Sequence, residues 1–237
     1  DFRQSELLIA AALSNDPLMS KVFSSGRDIH RESAAYFLGV EPEQVTENQR
    51  TIGKVVNFSF LYGSTPKGIQ ERLQEAEITT SEEECVDFLK KFIMHYKQLL
   101  YWKLAILAAC RRPHPAFGDS LPFGVQTQGG RFVPINIYSR HWGTKPINYL
   151  IQGTGADILM TALHELPAAL SGLDAKIVNI IHDEILLEVD EDTAEKAGAV
   201  LSKVMEDAFC SVLPCGDVFR GHLVEWHCGK TWAEAKG

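Results

Sequence analysis

At 237 residues, 45% hydrophobic and 23% charged, the chain is long enough for one sizeable core or two small ones and too apolar for a disordered tail. It holds no run of about eighteen apolar residues and no basic-then-apolar leader, which argues against a membrane span or a signal peptide, and its five cysteines lack paired metal-type spacing and read as reduced thiols of an intracellular protein. A net charge of −8 argues against nonspecific coating of nucleic acid, so any nucleic-acid role must rest on local geometry.

In chain order, Ser5 is the N-cap candidate for a short buried helix over "SELLIAAALS", broken by Ser14, Asn15, Asp16 and Pro17. "DIHRESAAYFLG" repeats the plan, with Asp28 as cap and Gly39 as stop. Thr46 and Gln49 form a capping box that opens "NQRTIGKVVNFSFLYG", closed by Gly63. From the Ser81 cap, "SEEECVDFLKKFIMHYKQLLYWKLAILAACRR" reads as one long amphipathic helical stretch. Gly and Pro then become frequent between Pro113 and Pro134, and "GGRFVPINIY" reads as a small hairpin or strand pair. "PINYLIQGTGADILMTALHEL" returns to helix. After it, Ile177 to Ile181 and Ile185 to Val189 are short, rich in β-branched residues and predict two strands, followed by a helix over "TAEKAGAVLSKVMEDAF" and a strand-like "HLVEW". The class is α+β, with a helical insertion between sheet-forming ends.

Three groups of residues can carry chemistry. His182, Asp183 and Glu184 sit at the turn between the two strands, where side chains leave the packed sheet. A solvated turn is one reading and a metal site the other. An oxygen ligand such as Asp183 suits Mg²⁺, which is held by one or two carboxylates plus substrate phosphates, so a second carboxylate has to come from elsewhere. Arg50, Lys54, Phe58 and Tyr62 recur every four residues and share one helix face, two cations followed by two aromatics. That face suits a polyanion with an attached flat base, and equally an amphipathic helix with solvated cations. Asp1 and Glu6 lie five apart at the first helix, where acidic residues also complement the helix dipole.

"DFRQSELLIAAALS", "RTIGKVVNFSFLYG" and "HDE", in that order, resemble the three polymerase motifs of family A DNA polymerases, the bacterial DNA polymerase I type. "DIHRESA", "INYLIQGTGADIL" and the closing "GKTWAEA" also resemble segments of that family, so the similarity spans nearly the whole chain. The resemblance implies a polymerase palm sheet with an inserted helical fingers subdomain: palm over 1–28, fingers over 29–130, palm again over 131–237, and the thumb absent.

It further implies template-directed DNA polymerisation, adding deoxynucleotides to a primer 3′-end by two-metal nucleotidyl transfer. Asp1 and Asp183 would be the carboxylates holding two Mg²⁺ ions, with Glu184 an accessory carboxylate and Lys54 the proton donor to pyrophosphate. His30, Arg50, Lys54 and Gln4 would hold the incoming nucleotide, with Phe58 and Tyr62 packed near its sugar and the template base. Glu6 resembles the family's steric gate against a ribose 2′-hydroxyl. Asn148, Gln152 and His182 would contact the primer-template, Gln152 through minor-groove acceptors common to all base pairs. The implied partners are primer-template DNA and deoxynucleoside triphosphates, with no membrane. A monomer is implied, intracellular and cytoplasmic, with an organelle also open.

Departures from the family pattern are Ser59 in place of Gly in "NFSFLYG", and "HWGTKPIN" before the Asn148 helix, where Arg140 and Lys145 stand in for more basic residues. Phe58 resembles the variants that discriminate against dideoxynucleotides. The chain reads as a fragment, weakly active by itself. Two rivals are a His-Asp metal phosphohydrolase using His30, His182 and Asp183, and a noncatalytic polymerase-like remnant that binds nucleic acid.

Overall fold

The computed structural model describes residues 1–110, 123–139 and 142–236. The fold is mostly helical, with small sheets. Helix α1 (Ser5–Ser14) is apolar all round, with Leu7 to Ala12 all buried, as expected of a helix at the centre of a core. It packs against α2 (Pro17–Ser24), α7 (Lys97–Ala109) and α8 (Lys145–Ala169). Burying Leu7, Leu8 and Ile9 contributes roughly 1.5–3 kcal/mol each. Residues at the first turn of α1 therefore stand at the edge of the buried core.

Ser5 is the first residue of α1 and caps nothing. The residue before it, Gln4, is left-handed with φ 50°, and the Ser5 hydroxyl is turned instead to Asp183. The cap expected at Ser5 is thus replaced by a long-range bond.

Helix α3 (Ile29–Leu38) is capped by Asp28, whose Oδ1 accepts from the amides of His30 and Arg31, and ends at left-handed Gly39. Helix α4 (Glu47–Tyr62) opens on the Thr46 and Gln49 capping box and ends at Gly63, φ 72°. A Cβ at Gly53 would collide with the His30 carbonyl oxygen, so α3 and α4 approach backbone to backbone. At its far end α4 is gripped by Lys103 of α7, whose Nζ donates to the carbonyls of Phe60 and Leu61 and lies 4.7 Å over the Phe60 ring. Burial pushes this ammonium down to about 8.

Helix α5 (Pro66–Glu75) packs on α4 and on α6 (Glu82–His95). The single long helix expected after Ser81 is two helices, α6 and α7, broken at Tyr96 (φ −102°, ψ 61°). Tyr96 is buried, with its hydroxyl 3.0 Å from the Ser33 hydroxyl. The start of α7 is capped by Asp16, whose Oδ2 accepts from the amides of Gln98 and Leu99 while its Oδ1 caps α2 through Leu18 and Met19. That buried carboxylate joins two helix N-termini, reaching an amide 82 residues further along the chain.

The expected palm sheet is present only in pieces. Strands β1 (Gly124–Gln126) and β2 (Phe132–Pro134) form one antiparallel pair, and β3 (Ala175–Ile181) and β4 (Glu184–Val189) another. The β3/β4 register runs from Ala175 opposite Val189 to Ile181 opposite Glu184, with an irregularity between Ile177 and Asn179. "HLVEW" pairs with the first residues of the chain through an isolated bridge, Phe2 opposite Val224. The pairing does not extend into a ladder, and among the described residues no strand connects this bridge to β3 or β4. Helix α9 (Ala194–Val212) packs along α8. The short α10 (Trp232–Lys236) lies beside the β3/β4 turn through bonds to Glu184.

Candidate active site

The pairing of the two chain ends is what fixes Asp1. Its amine donates to the Glu225 carbonyl at 3.0 Å, the Glu225 amide returns a bond to the Asp1 carbonyl at 2.9 Å, and the Arg3 amide reaches the Leu223 carbonyl at 2.9 Å. The link from this end of the chain to the β3/β4 turn is made four residues after Asp1. Ser5, at the start of α1, donates its hydroxyl to Asp183 Oδ2 and fastens the turn to the helix that follows Asp1.

In the two-residue turn, His182 is left-handed with φ 55° and Asp183 is not. A non-glycine residue in that region costs of order 1 kcal/mol or more and persists only when its surroundings hold it. His182 is exposed there. Glu184, the first residue of β4, accepts from Trp232 Nε1 at 3.1 Å and from Lys236 Nζ at 3.2 Å. Burial by itself raises the Glu184 carboxyl, but those two bonds outweigh it and hold the group below the usual carboxylate range.

A second group forms on the facing sides of α3 and α4. Arg50 Nε donates to Asp28 Oδ2 at 2.6 Å, so the carboxylate that caps α3 also orients the first cation of α4. Burial works to raise the Asp28 carboxyl, and the Arg50 and backbone bonds prevail and lower it. Lys54 is exposed one turn further on. His30 is buried, and Asn57 Nδ2 lies 3.1 Å from its Nδ1. An amide nitrogen can only donate, so Nδ1 is the acceptor and the proton sits on Nε2. Burial first, then the nearby Arg50 and Lys54, push His30 down to about 4 against the opposing pull of Asp28, so the imidazole is neutral at pH 7. Its ring packs on Phe58 at 5.6 Å between centroids, and Phe58 stacks parallel to Tyr62 at 6.3 Å. The face read from sequence spacing is therefore a continuous strip, Arg50, Lys54, Phe58 and Tyr62, flanked by His30.

The end of that strip meets a third group. Tyr62 is raised above its ordinary pKa by burial and then by Glu6 of α1. Gln152 of α8 donates to the same Glu6 carboxylate at 3.5 Å. The Tyr62 hydroxyl is close enough to feel the Glu6 charge, yet it lacks a well-formed hydrogen bond among the described residues. Asn148 lies one helical turn before Gln152 on α8, half-buried, with its Oδ1 unpartnered among the described residues. Gln4 is half-buried beside Ser5, and its carbonyl accepts from Leu7 and Leu8. Lys145 is the first residue of α8, whereas Arg140 lies outside the described residues.

The family model for DNA polymerase family A matches residues 1–234. The chain belongs to that family. Among relatives, it is 35% identical to DNA polymerase I of Aquifex aeolicus over 88% of this chain and 35% of that protein, and 33% identical to the thermostable DNA polymerase I of Thermus filiformis over 100% of this chain and 27% of that protein. The chain thus spans about a third or less of the relatives it matches. Among solved structures, the POL domain of Pol1 from M. smegmatis, in complex with DNA primer-template and dNTP, superposes with a TM-score of 0.75 at 24% identity, covering 88% of this chain and 36% of that one, and shares its fold. No described helix is long and apolar enough to cross a membrane.

Beyond the candidate residues named from sequence, Ser5, Asp28, Asn57, Trp232 and Lys236 make side-chain bonds to them. Asp28 is legible as a cap, but its second role toward Arg50 spans 22 residues and leaves no local pattern. Trp232 lies in the "GKTWAEA" segment, which marks similarity without marking a contact to Glu184.

Proposed function

We propose that this chain is the palm and fingers part of a template-directed DNA polymerase, with palm over 1–28 and 131–237 and fingers over 29–130. The observation that carries the reading is the Ser5 bond to Asp183, which ties the β3/β4 turn to the start of the helix that follows Asp1, while α4 turns two cations and two aromatics along one face. Family A polymerases use metal ions, and the donor set here fits a hard cation. It consists of two aspartates from different parts of the chain, which suits Mg²⁺ completed by substrate phosphates better than a closed cage, and no cluster of three or more His, Cys, Asp or Glu occurs among the described residues. Asp1 and Asp183 would hold the ions, which when bound supply activation of the primer hydroxyl and neutralisation of the leaving pyrophosphate.

The remaining roles belong to the chain itself. Arg50, with Nε held by Asp28, keeps its two terminal nitrogens for the triphosphate, and Lys54 adds a point charge and a proton for pyrophosphate. Neutral His30 donates its Nε2 proton to a phosphate oxygen, a role that its bond from Asn57 pre-sets. Gln4 assists at the same nucleotide. Phe58 and Tyr62 form a flat wall for sugar and base, and Phe58 selects against dideoxynucleotides. Glu6, gathered with Tyr62 and Gln152, closes the sugar side against a 2′-hydroxyl, while Gln152, Asn148 and His182 face the primer-template.

The nucleotide half of this reading is tested on the chain by calorimetric titration with a magnesium deoxynucleoside triphosphate. Arg50→Ala and Lys54→Ala should each weaken binding about tenfold, the loss of one charge-assisted contact. Unchanged affinity in both variants would contradict the assignment.

A further inference from the structure

Neighbouring carboxylates at the β3/β4 turn are committed in different directions. Asp183 Oδ2 accepts from Ser5 at the start of α1, whereas both oxygens of Glu184 are taken by α10, Oε1 by the Trp232 indole at 3.1 Å and Oε2 by the Lys236 ammonium at 3.2 Å. Lys236 Nζ also lies 5.2 Å from the Trp232 ring, so the two donors brace one another. The Glu184 side chain is 19% exposed, whereas both donors stand at exposed positions, Lys236 at 59% and Trp232 at 45%, so solvent screens the ion pair and the restraint comes from the two bonds acting together. Between these two fastenings the backbone is held in an unfavourable shape, with His182 at φ 55°.

We propose that α10 is a positioning element of the metal site: by holding Glu184 through Trp232 and Lys236, it fixes the turn that presents Asp183 toward Asp1. Glu184 is then an anchor for its neighbour and not itself a metal ligand. A carboxylate engaged on both oxygens by protein donors has little left for a cation, and partners one shell removed from a metal orient the groups that bind it. The inference rests on the metal role proposed for Asp1 and Asp183.

The test is Mn²⁺ binding to the 237-residue chain, followed by the electron paramagnetic resonance of the free ion at constant ionic strength. Trp232→Phe keeps the apolar bulk and removes the N–H; it should weaken Mn²⁺ binding about tenfold, as should Glu184→Gln, and the double variant should be no weaker than Glu184→Gln alone. Circular dichroism checks folding. Should Trp232→Phe fail to fold, Lys236→Met, at an exposed position, should give a smaller loss that disappears in the Glu184→Gln background. Parent-like binding by Trp232→Phe, or a loss that adds in full to that of Glu184→Gln, would overturn the proposal. Asp183→Ala separates the two levels. If it does not reduce Mn²⁺ binding, the metal reading fails and this inference with it; if it abolishes binding while Trp232→Phe leaves it intact, only the inference fails.

Discussion

His30 is a buried imidazole beside two cations, and its neutrality has a measurable cost in acid. The unfolded chain takes up that proton near pH 6.5 and the folded chain only near 4, so between those values the unfolded state binds more protons. Stability should therefore fall as pH drops through that window, by on the order of 3 kcal/mol in all. Denaturant melts of His30→Gln should show this acid limb flattened, and an unchanged limb would place the titration elsewhere. Ser59, the departure from the family's glycine, turns out to face the core: it is fully buried, and its hydroxyl has no partner among the described residues. Its effect is on packing and not on the strip that carries Phe58 and Tyr62. Ser59→Ala should raise stability by about 1 kcal/mol, because an unsatisfied buried hydroxyl is removed. A loss of stability would show that the hydroxyl is satisfied. At this scale the i, i+4 spacing made Arg50, Lys54, Phe58 and Tyr62 legible, since local periodicity encodes a shared face. Asn57, which sets the tautomer of His30, was not legible: its partner lies 27 residues away on another helix.

Among the elements, three helix starts with local caps were legible, whereas α2 and α5, capped just as locally by Asp16 and Thr65, were not, because Pro17 and Pro66 also read as breakers. Asp28, Thr46 with Gln49, and Ser81 are local caps that stand where the sequence predicts, and Ser81 is joined by Glu84 in a capping box that the structure adds. The break between α6 and α7 escaped because its cause is not local: Tyr96 is drawn inward to Ser33, and the new helix start is capped by Asp16 from α2. Asp16→Ala removes two caps at once and should cost roughly 2–4 kcal/mol in thermal or urea unfolding, with Asp16→Asn losing about half of that. A cost under about 0.5 kcal/mol would mean that neither cap matters. Gly53→Ala should push α3 from α4 and lower stability by about 1–3 kcal/mol, since the added methyl meets backbone rather than a mobile side chain. Stability equal to the parent would mean that the two helices separate freely.

For the molecule as a whole, the mixture of helix and strand was legible from alternating periods, whereas the sheet was not. One palm sheet would join the first residues and "HLVEW" to the HDE strands, but those two segments pair with each other through one bridge and β3/β4 stands apart among the described residues. Strand pairing across more than 200 residues is a property of packing, and a run such as "HLVEW" announces a strand without naming its neighbour. On the proposed function, this pairing holds Asp1 for a metal site shared with the Asp183 turn, and α4 supplies the cations and aromatics. The most direct test of this account is single-nucleotide primer extension with Mg²⁺, using the chain joined to the upstream polymerase segment of a family A relative, beside its Asp183→Ala variant. The account predicts extension by the joined protein and its loss in the variant. Extension that survives Asp183→Ala would contradict the metal role of Asp183, and no extension by either folded protein would contradict the polymerase reading in favour of a binding remnant.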